Sequence, residues 1–548
     1  MRITQNKLFA YSLIILYGIL FLIPFRGQVH LFDWDEINFA ESAREMLVSG
    51  DFITVQINFE PFWEKPPLFI WLQVVSMKIF GINEFAARFP NAVCGIISLI
   101  LLYNIGRKLY DEKFGLYWIL AYAGSVLPFF YFKSGIIDPW FNLFIFLGIV
   151  YFIYYLIAET ARKKYLILSG FFLGLAVLTK GPVAILIFMI TFGVFLVIRR
   201  FRLKTNYIDV LLFILVITLT GGFWFILQIM NGNAHLIRDF ISYQARLFST
   251  RDAGHGGFFM YHFVVILVGV FPASQIALLS FRDHFNGPGL RKDFFLWMMI
   301  LFWTVIILFS IVNTKIVHYS SLCYFPLTFL AALTIRKYEN SEIRIPLWLK
   351  YLAGFFAILY GLVVAAIPLI DRFKHNFIEN IMEKDPFTAG NLSAVVEWSG
   401  LEFLIGLGYI TAVIIILYFL NRNRKWPLKL LFITTSVFIY LTILFITPRV
   451  EAYSQRAAIE FYKSVSNEKA YIATLGFKSY AHLFYGKVKP EKGLVAANSK
   501  WMLDGNIDRD AYFVFKINRK DKYLKEYPQL KILYEKNGFV FAKRSKPY

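Results

Sequence analysis

Charge is scarce in this chain, and what there is leans one way. Asp, Glu, Lys and Arg make up 17% of the 548 residues, where a soluble protein of this length carries roughly a quarter. Hydrophobic residues reach 58% and the mean hydropathy is +0.57. A soluble core could not absorb so much apolar side chain; a bilayer can. Acidic residues number 36 against 57 basic ones, a formal charge of +21. The basic residues are scattered between apolar runs and form no single stripe, which speaks against nucleic-acid binding. Cysteine is nearly absent. Cys94 and Cys323 both fall within apolar runs, so neither a disulfide framework nor a cysteine metal site is indicated. A glycine-rich phosphate loop is missing too, and the short basic loops have no room for one, which argues against a nucleotide site.

What the chain does have is a series of apolar runs long enough to cross ~30 Å of hydrocarbon. They fall at about 8–25, 89–106, 114–132, 136–157, 165–180, 182–198, 208–230, 258–280, 293–312, 316–335, 346–370, 399–420 and 427–447. They predict a polytopic α-helical membrane protein with about 13 transmembrane helices. Pro24-Phe25-Arg26 is a poor cleavage site, so the first run reads as an uncleaved span. Alternate loops are basic, as at Arg107/Lys108/Lys113, Arg162/Lys163/Lys164 and Arg422/Arg424/Lys425, while the turns between them carry single lysines, Lys133, Lys180 and Lys315. The positive-inside rule then makes the N-terminus cytoplasmic, and an odd number of spans puts the C-terminus outside. The abundant Phe (60) and Tyr (32) suit lipid-facing and interfacial positions.

Three outer segments, about 26–88, 231–257 and 371–398, are too long to be simple turns, and long loops usually carry function. Within the first, Glu36–Leu47 and Leu68–Phe80 read as helices amphipathic enough to lie in the interface. Beyond residue 448 the composition turns charged. Ala470–Leu475 and Ala511–Ile517 read as strands and Lys520–Tyr527 as a short helix. Leu530–Tyr534 and Phe539–Lys543 flank Asn537-Gly538, a hairpin signal. The chain thus divides into a membrane domain, 1–447, whose outer loop 26–88 is the working part, and a small α/β domain, 448–548, outside the membrane.

Chemistry concentrates at three places. Asp33-Trp34-Asp35-Glu36 sets three acids in four residues just beyond a span; the plain alternative is helix capping by Asp33 or Asp35. Phe62-Trp63-Glu64-Lys65-Pro66-Pro67 holds a charged pair before a rigid diproline, which would fix Lys65 at the lip of the membrane to meet an anionic headgroup. A lysine snorkelling to the interface would look the same. Asp138 stands at the outer end of a span, before Pro139. An ionisable residue there is a functional candidate, and a helix N-terminus is its structural alternative.

Taken together, DWDEINFAESAREML, the Gly50-Asp51 turn, FWEKPPLFIWL and FGINEFAARFPNAV resemble the first outer loop of the bacterial lipid-linked sugar transferases, the family of the aminoarabinose transferase of lipid A. That family is related to the protein O-mannosyltransferases and has the GT-C membrane fold. The resemblance is close over 33–93, with weaker matches through Asp138, Leu178–Pro182, 243–273 and Lys315–Pro326. It implies that Asp35 is catalytic, that Asp138 faces the same cavity, and that Lys65 holds the donor phosphate with Tyr319 near it. Arg246 and Lys315 are further sources of positive charge, and Glu36 is the reserve acid. It also implies Glu64 as a carboxylate ligand of a divalent metal, zinc among the candidates; seven of the eight histidines lie on the outer side in this topology, and His255 is the candidate second ligand among them. No other cofactor is indicated. The chain departs from the family at Asn38-Phe39, where Arg-Tyr is common, at Phe62, where tyrosine is common, and at Gln244–Phe248, which lacks a Glu-His pair.

The activity so implied is transfer of one sugar from a polyprenyl-phosphate donor to a lipid, glycan or protein acceptor on the outer face of the inner membrane. The leaving phosphate is already anionic and needs stabilisation rather than protonation. Asp35 would serve as base toward the acceptor hydroxyl. One carboxylate suffices for a single inversion, while a covalent intermediate on Asp35 would give retention. The competing class is a polytopic lipid or sugar transporter, whose polar sites would sit near the midplane on broken helices in repeated halves.

Overall fold

The computed structural model describes residues 2–32, 34–202, 205–249, 256–282, 289–422, 424–490 and 498–547. Among the described residues, six helices are long and apolar enough to cross a membrane: Glu84–Leu109, Asp138–Ile157, Gly289–Ile311, Leu347–Phe373, Phe403–Asn421 and Pro427–Glu451. The number rises to nine if each of three bent pairs is one span. Those pairs are Glu112–Ala123 with Val126–Lys133, Tyr207–Gly221 with Phe223–Met230, and Tyr261–Gly269 with Ala273–Arg282, bent by 74°, 56° and 106°. The breaks have local causes. Gly124 sits at the first, Gly222 at the second, and Pro272, which has no N–H to donate, at the third. Shorter apolar helices, among them Lys7–Leu22 and Val183–Ile198, complete the bundle.

The bundle core is aromatic. Trp118 packs against Phe146, Phe294 and Phe329 at centroid distances of 6.0, 6.0 and 5.1 Å. Large apolar side chains such as Leu211, Ile214, Phe355 and Leu362 remain exposed on the outside, a surface that only lipid would accept.

The outer loop carries the two helices expected of it, Asp35–Ser49 and Leu68–Phe80. Between them β1 (Gln56–Ile57) pairs antiparallel with β2 (Glu60–Pro61). Beyond the bundle, β3 (Tyr471–Leu475), β4 (Ala511–Lys516), β5 (Lys531–Lys536) and β6 (Phe539–Arg544) form a four-stranded sheet in the order β3-β4-β6-β5. β3 runs parallel to β4, and the other pairs are antiparallel. The β5–β6 turn uses Asn537 and Gly538, both at positive φ, as a two-residue hairpin requires. This unit is not a free appendage. Ile37, Phe39, Phe69 and Ile70 of the outer loop share one buried core with Phe461, Tyr485, Val514 and Phe541. The sheet therefore presses the outer loop onto the membrane bundle.

Candidate active site

Beneath the outer loop lies a cavity of about 960 Å³ whose walls include Asp35, Glu64, Lys65, Lys180, Arg246, His318 and Tyr319. One side is apolar, with Val126, Leu127, Phe130 and Tyr360. Lys65, Lys180 and Tyr319 also line a small adjoining chamber with Asp138.

Asp35 is the first residue of its helix, and the residue before it, Trp34, makes no side-chain cap. The capping explanation of Asp35 is thereby removed; Asp33 lies outside the described residues. Instead Asp35 Oδ2 stands 3.3 Å from His318 Nε2, with its side chain 42% exposed to the cavity. Asp138 begins the helix of the fourth run, with Pro139 in its first turn. It is buried, and its Oδ1 accepts a hydrogen bond from Lys180 Nζ at 2.7 Å. Its Oδ2 lies 3.8 Å from the same His318 Nε2. One imidazole thus faces both carboxylates, and one half-buried lysine partners the inner of them. The Lys180 ammonium also lies 5.1 Å from the centroid of Tyr319.

The phosphate candidates are arranged around Tyr243. Lys65 Nζ and the Arg246 guanidinium lie 5.3 and 5.2 Å from its ring. Its hydroxyl donates to Glu64 Oε2 at 3.2 Å. Burial holds the Lys65 ammonium below the usual lysine range; Glu64 opposes this and Lys180 adds to it. Desolvated cations of this kind attract an anion strongly.

Two expected residues are placed elsewhere in function. Glu36, the reserve acid, is consumed. Its oxygens accept from Arg88 at 3.0 and 2.7 Å, from the Gly135 N–H at 2.5 Å and from the Phe32 N–H at 3.0 Å. Burial works to raise its pKa, but Arg88 and these N–H groups outweigh it and hold the carboxyl below its ordinary range. Glu36 pins the outer loop to the bundle rather than taking protons. Lys315 is likewise turned away: its Nζ donates to the carbonyls of Phe309, Ser310 and Val312 at 2.9, 2.6 and 2.6 Å, and it is not among the residues that line the cavity.

Of the two residues expected to hold a metal, only Glu64 is among the described residues. His255 lies outside the described residues, and Glu64 is engaged by Tyr243 beside a cation. Among the described residues no group of three or more His, Cys, Asp or Glu is placed to hold a metal ion. Two residues of the site do not stand out in the sequence. Lys180 looks like one of several lone turn lysines, and His318 like a neighbour of Tyr319. Neither has an acidic residue near it in the sequence, so only the fold brings them to Asp35 and Asp138.

Comparison with known proteins meets this geometry. Residues 64–224 match the family of the dolichyl-phosphate-mannose-protein mannosyltransferases. An undecaprenyl phosphate-α-4-amino-4-deoxy-L-arabinose arabinosyl transferase of Photorhabdus laumondii is 27% identical over 336 residues, 60% of this chain and 59% of that protein. A second such transferase, of Proteus mirabilis, is 26% identical over 376 residues, 66% of each chain. The matches thus span about three-fifths to two-thirds of the length of these relatives. In three dimensions the chain superposes on ArnT from Cupriavidus metallidurans bound to undecaprenyl phosphate with a TM-score of 0.77, covering 97% of both chains at 16% identity. The chain is similar to these arabinosyl transferases and shares the fold of ArnT. The apo form of the same ArnT gives a TM-score of 0.74 over the same share of both chains. The architecture is thus shared at low sequence identity.

Proposed function

We propose that the chain is an integral membrane glycosyltransferase that moves one sugar from a polyprenyl-phosphate donor to a hydroxyl acceptor on the outer face of the membrane. The observation that carries this reading is the convergence of Asp35, His318, Asp138 and Lys180 beside Lys65 and Tyr319 in one cavity with an apolar side. A transporter would need no such charged constellation at the outer ends of its helices. The donor phosphate sits by Lys65, with Tyr319 and Arg246 nearby, and its prenyl chain follows the apolar wall. The acceptor oxygen attacks the anomeric carbon. As that bond forms, the bond to the phosphate oxygen breaks, the phosphate keeps the electron pair, and the acceptor proton passes to Asp35. His318 holds Asp35 toward the reacting hydroxyl. Asp138 orients His318, and Lys180 keeps the buried Asp138 charge paired. The undecaprenyl-phosphate sugar used by the relatives supplies the class of donor; the acceptor is a lipid, glycan or protein.

The finer topology belongs to the same proposal. Each of the thirteen apolar runs coincides with a helix or a helix pair, which supports 13 spans; the basic alternate loops support a cytoplasmic N-terminus and, with an odd number of spans, a sheet unit, 448–548, outside the membrane. The chemical step is tested with Asp35→Asn, which keeps size but removes the basic lone pair. Transfer is expected to fall by about 100- to 10,000-fold while polyprenyl-phosphate binding survives. Near-normal turnover by the correctly inserted variant would dismiss Asp35 as the base.

A further inference from the structure

The outer-loop helix carries a second ionic cluster that the proposed reaction does not use. Glu41 and Glu45 are fully buried and Arg44 is 3% exposed. Arg44 clasps Glu41 with two hydrogen bonds of 2.7 and 2.6 Å. Glu45 spends both oxygens on backbone: Oε1 accepts the Asn58 N–H at 2.6 Å and Oε2 accepts the Phe59 N–H at 2.7 Å.

Asn58 and Phe59 are the two central residues of the β1–β2 hairpin, whose strands pair Gln56 with Pro61 and Ile57 with Glu60. Both have positive φ, 59° and 57°. A two-residue turn of this kind is favoured by Asn-Gly. Asparagine suits its place, but phenylalanine does not adopt left-handed backbone readily. Something must hold it there, and the carboxyl group that takes both turn N–H groups is placed to do so. The Arg44 guanidinium adds a contact, 5.9 Å from the Phe59 ring centroid.

The turn leads directly into the cavity wall. From Phe59 the chain runs through β2 to Phe62, whose N–H returns to the Val55 carbonyl at 2.7 Å. It then reaches Trp63, edge-on to Tyr243 at 5.5 Å, and Glu64 and Lys65 at the cavity. The helix that holds the turn is the one that begins with Asp35. We infer that Glu45 is a positioning residue: by gripping the Asn58-Phe59 turn it sets Lys65 at a fixed distance from Asp35, so that the phosphate cation and the base belong to one frame. This rests on the reading of Lys65 as the phosphate cation.

The test uses the full-length protein in detergent and undecaprenyl phosphate as the probe. Glu45→Ala is expected to weaken binding by about tenfold, within the range of couplings between residues of one network. In a Lys65→Ala background the same substitution should change binding less than about twofold, because Glu45 acts through Lys65. Adding Phe59→Gly to Glu45→Ala should restore most of the affinity, since Asn-Gly needs no outside grip to form the turn. If Glu45→Ala does not fold, Glu45→Gln, which keeps one acceptor oxygen, enters the same cycle with a smaller expected loss. Unchanged binding, equal losses in both backgrounds, or failure of Phe59→Gly to rescue would overturn the inference. Such results leave the transferase reading standing as long as the unaltered protein binds the probe; failure of the unaltered protein to bind would overturn both.

Discussion

Lys180 offers the sharpest separation of stability from chemistry in this site. Its ammonium lies 2.7 Å from Asp138 Oδ1, with side-chain exposures of 14% and 3% for lysine and aspartate. At that distance and an effective dielectric of about 20, the attraction is about 6 kcal/mol. Desolvation of the two groups offsets much of it, so the pair as a whole contributes little. Removing one partner is another matter, because an unpaired buried charge costs about 3–5 kcal/mol. Against a total of about 5–15 kcal/mol for a typical native protein, Lys180→Met should lower the unfolding temperature in detergent clearly. His318, 3.8 Å from Asp138 Oδ2, is the nearest remaining partner and favours the lower end of the range. Adding Asp138→Asn removes the orphaned charge, so the double variant should recover most of the lost stability. Sugar transfer should stay lost, since His318 no longer has the inner carboxylate that orients it. The assay pairs thermal unfolding with transfer from a polyprenyl-phosphate sugar on the same preparations. A double variant as unstable as the single one would refute the ion-pair argument, and a double variant with full transfer would refute the role given to Asp138.

Three further outcomes are expected. Lys65→Ala should weaken donor binding by about 10- to 100-fold, the worth of a charge-assisted contact of about 1.5–3 kcal/mol, with partial recovery by Arg, whose larger planar head fits differently; unchanged donor titrations would return Lys65 to simple snorkelling. The pH dependence of unfolding should carry the mark of Glu45, whose pKa burial and the neighbouring Glu41 push up to about 9 from an ordinary 4.5. The folded state keeps this proton after the unfolded chain has lost it, so the unaltered protein should lose stability relative to Glu45→Gln as pH rises from about 5 to about 9, by at most about 1.4 kcal/mol per unit. Parallel unfolding curves would contradict it. The depressed carboxyl of Glu36 acts with the opposite sign, losing its contribution as pH falls below the ordinary glutamate range. Finally, a reporter fused after residue 204 should be cytoplasmic and one fused after 450 external; finding both on one side would end the 13-span topology.

Much of the site is legible in one dimension, and the misreadings have a common form. Asp35, Lys65 and Asp138 stand out because an ionisable residue beside a long apolar run must have a reason to be there. Lys180 does not stand out from Lys133 and Lys315, since all three are single lysines in short turns between apolar runs. Their fates diverge completely. Lys180 pairs with Asp138, Lys315 donates to three carbonyls, and Lys133 donates to the Pro24 carbonyl at 2.6 Å. Glu36 sits next to Asp35 in the chain, yet adjacent helical residues point about 100° apart, so one faces the cavity and the other faces Arg88.

The class of molecule and its secondary elements are written in the order of the residues. Apolar run length and loop charge dictate a polytopic helical bundle, because backbone polar groups in lipid must be satisfied within helices. Alternation and an Asn-Gly turn dictate the strands: the pattern places them at 470–475 and 511–517, and they run Tyr471–Leu475 and Ala511–Lys516. Which side chains meet is settled by the folded molecule alone. Asp138 finds Lys180 across 42 residues and Glu36 finds Arg88 across 52. Glu45 reaches a turn whose left-handed backbone no local pattern announces, since Phe59 is a poor residue for it. Periodicity records which face of an element is apolar; it holds no record of which partner that face will meet, and the partner decides whether a buried charge serves the chemistry or the fold.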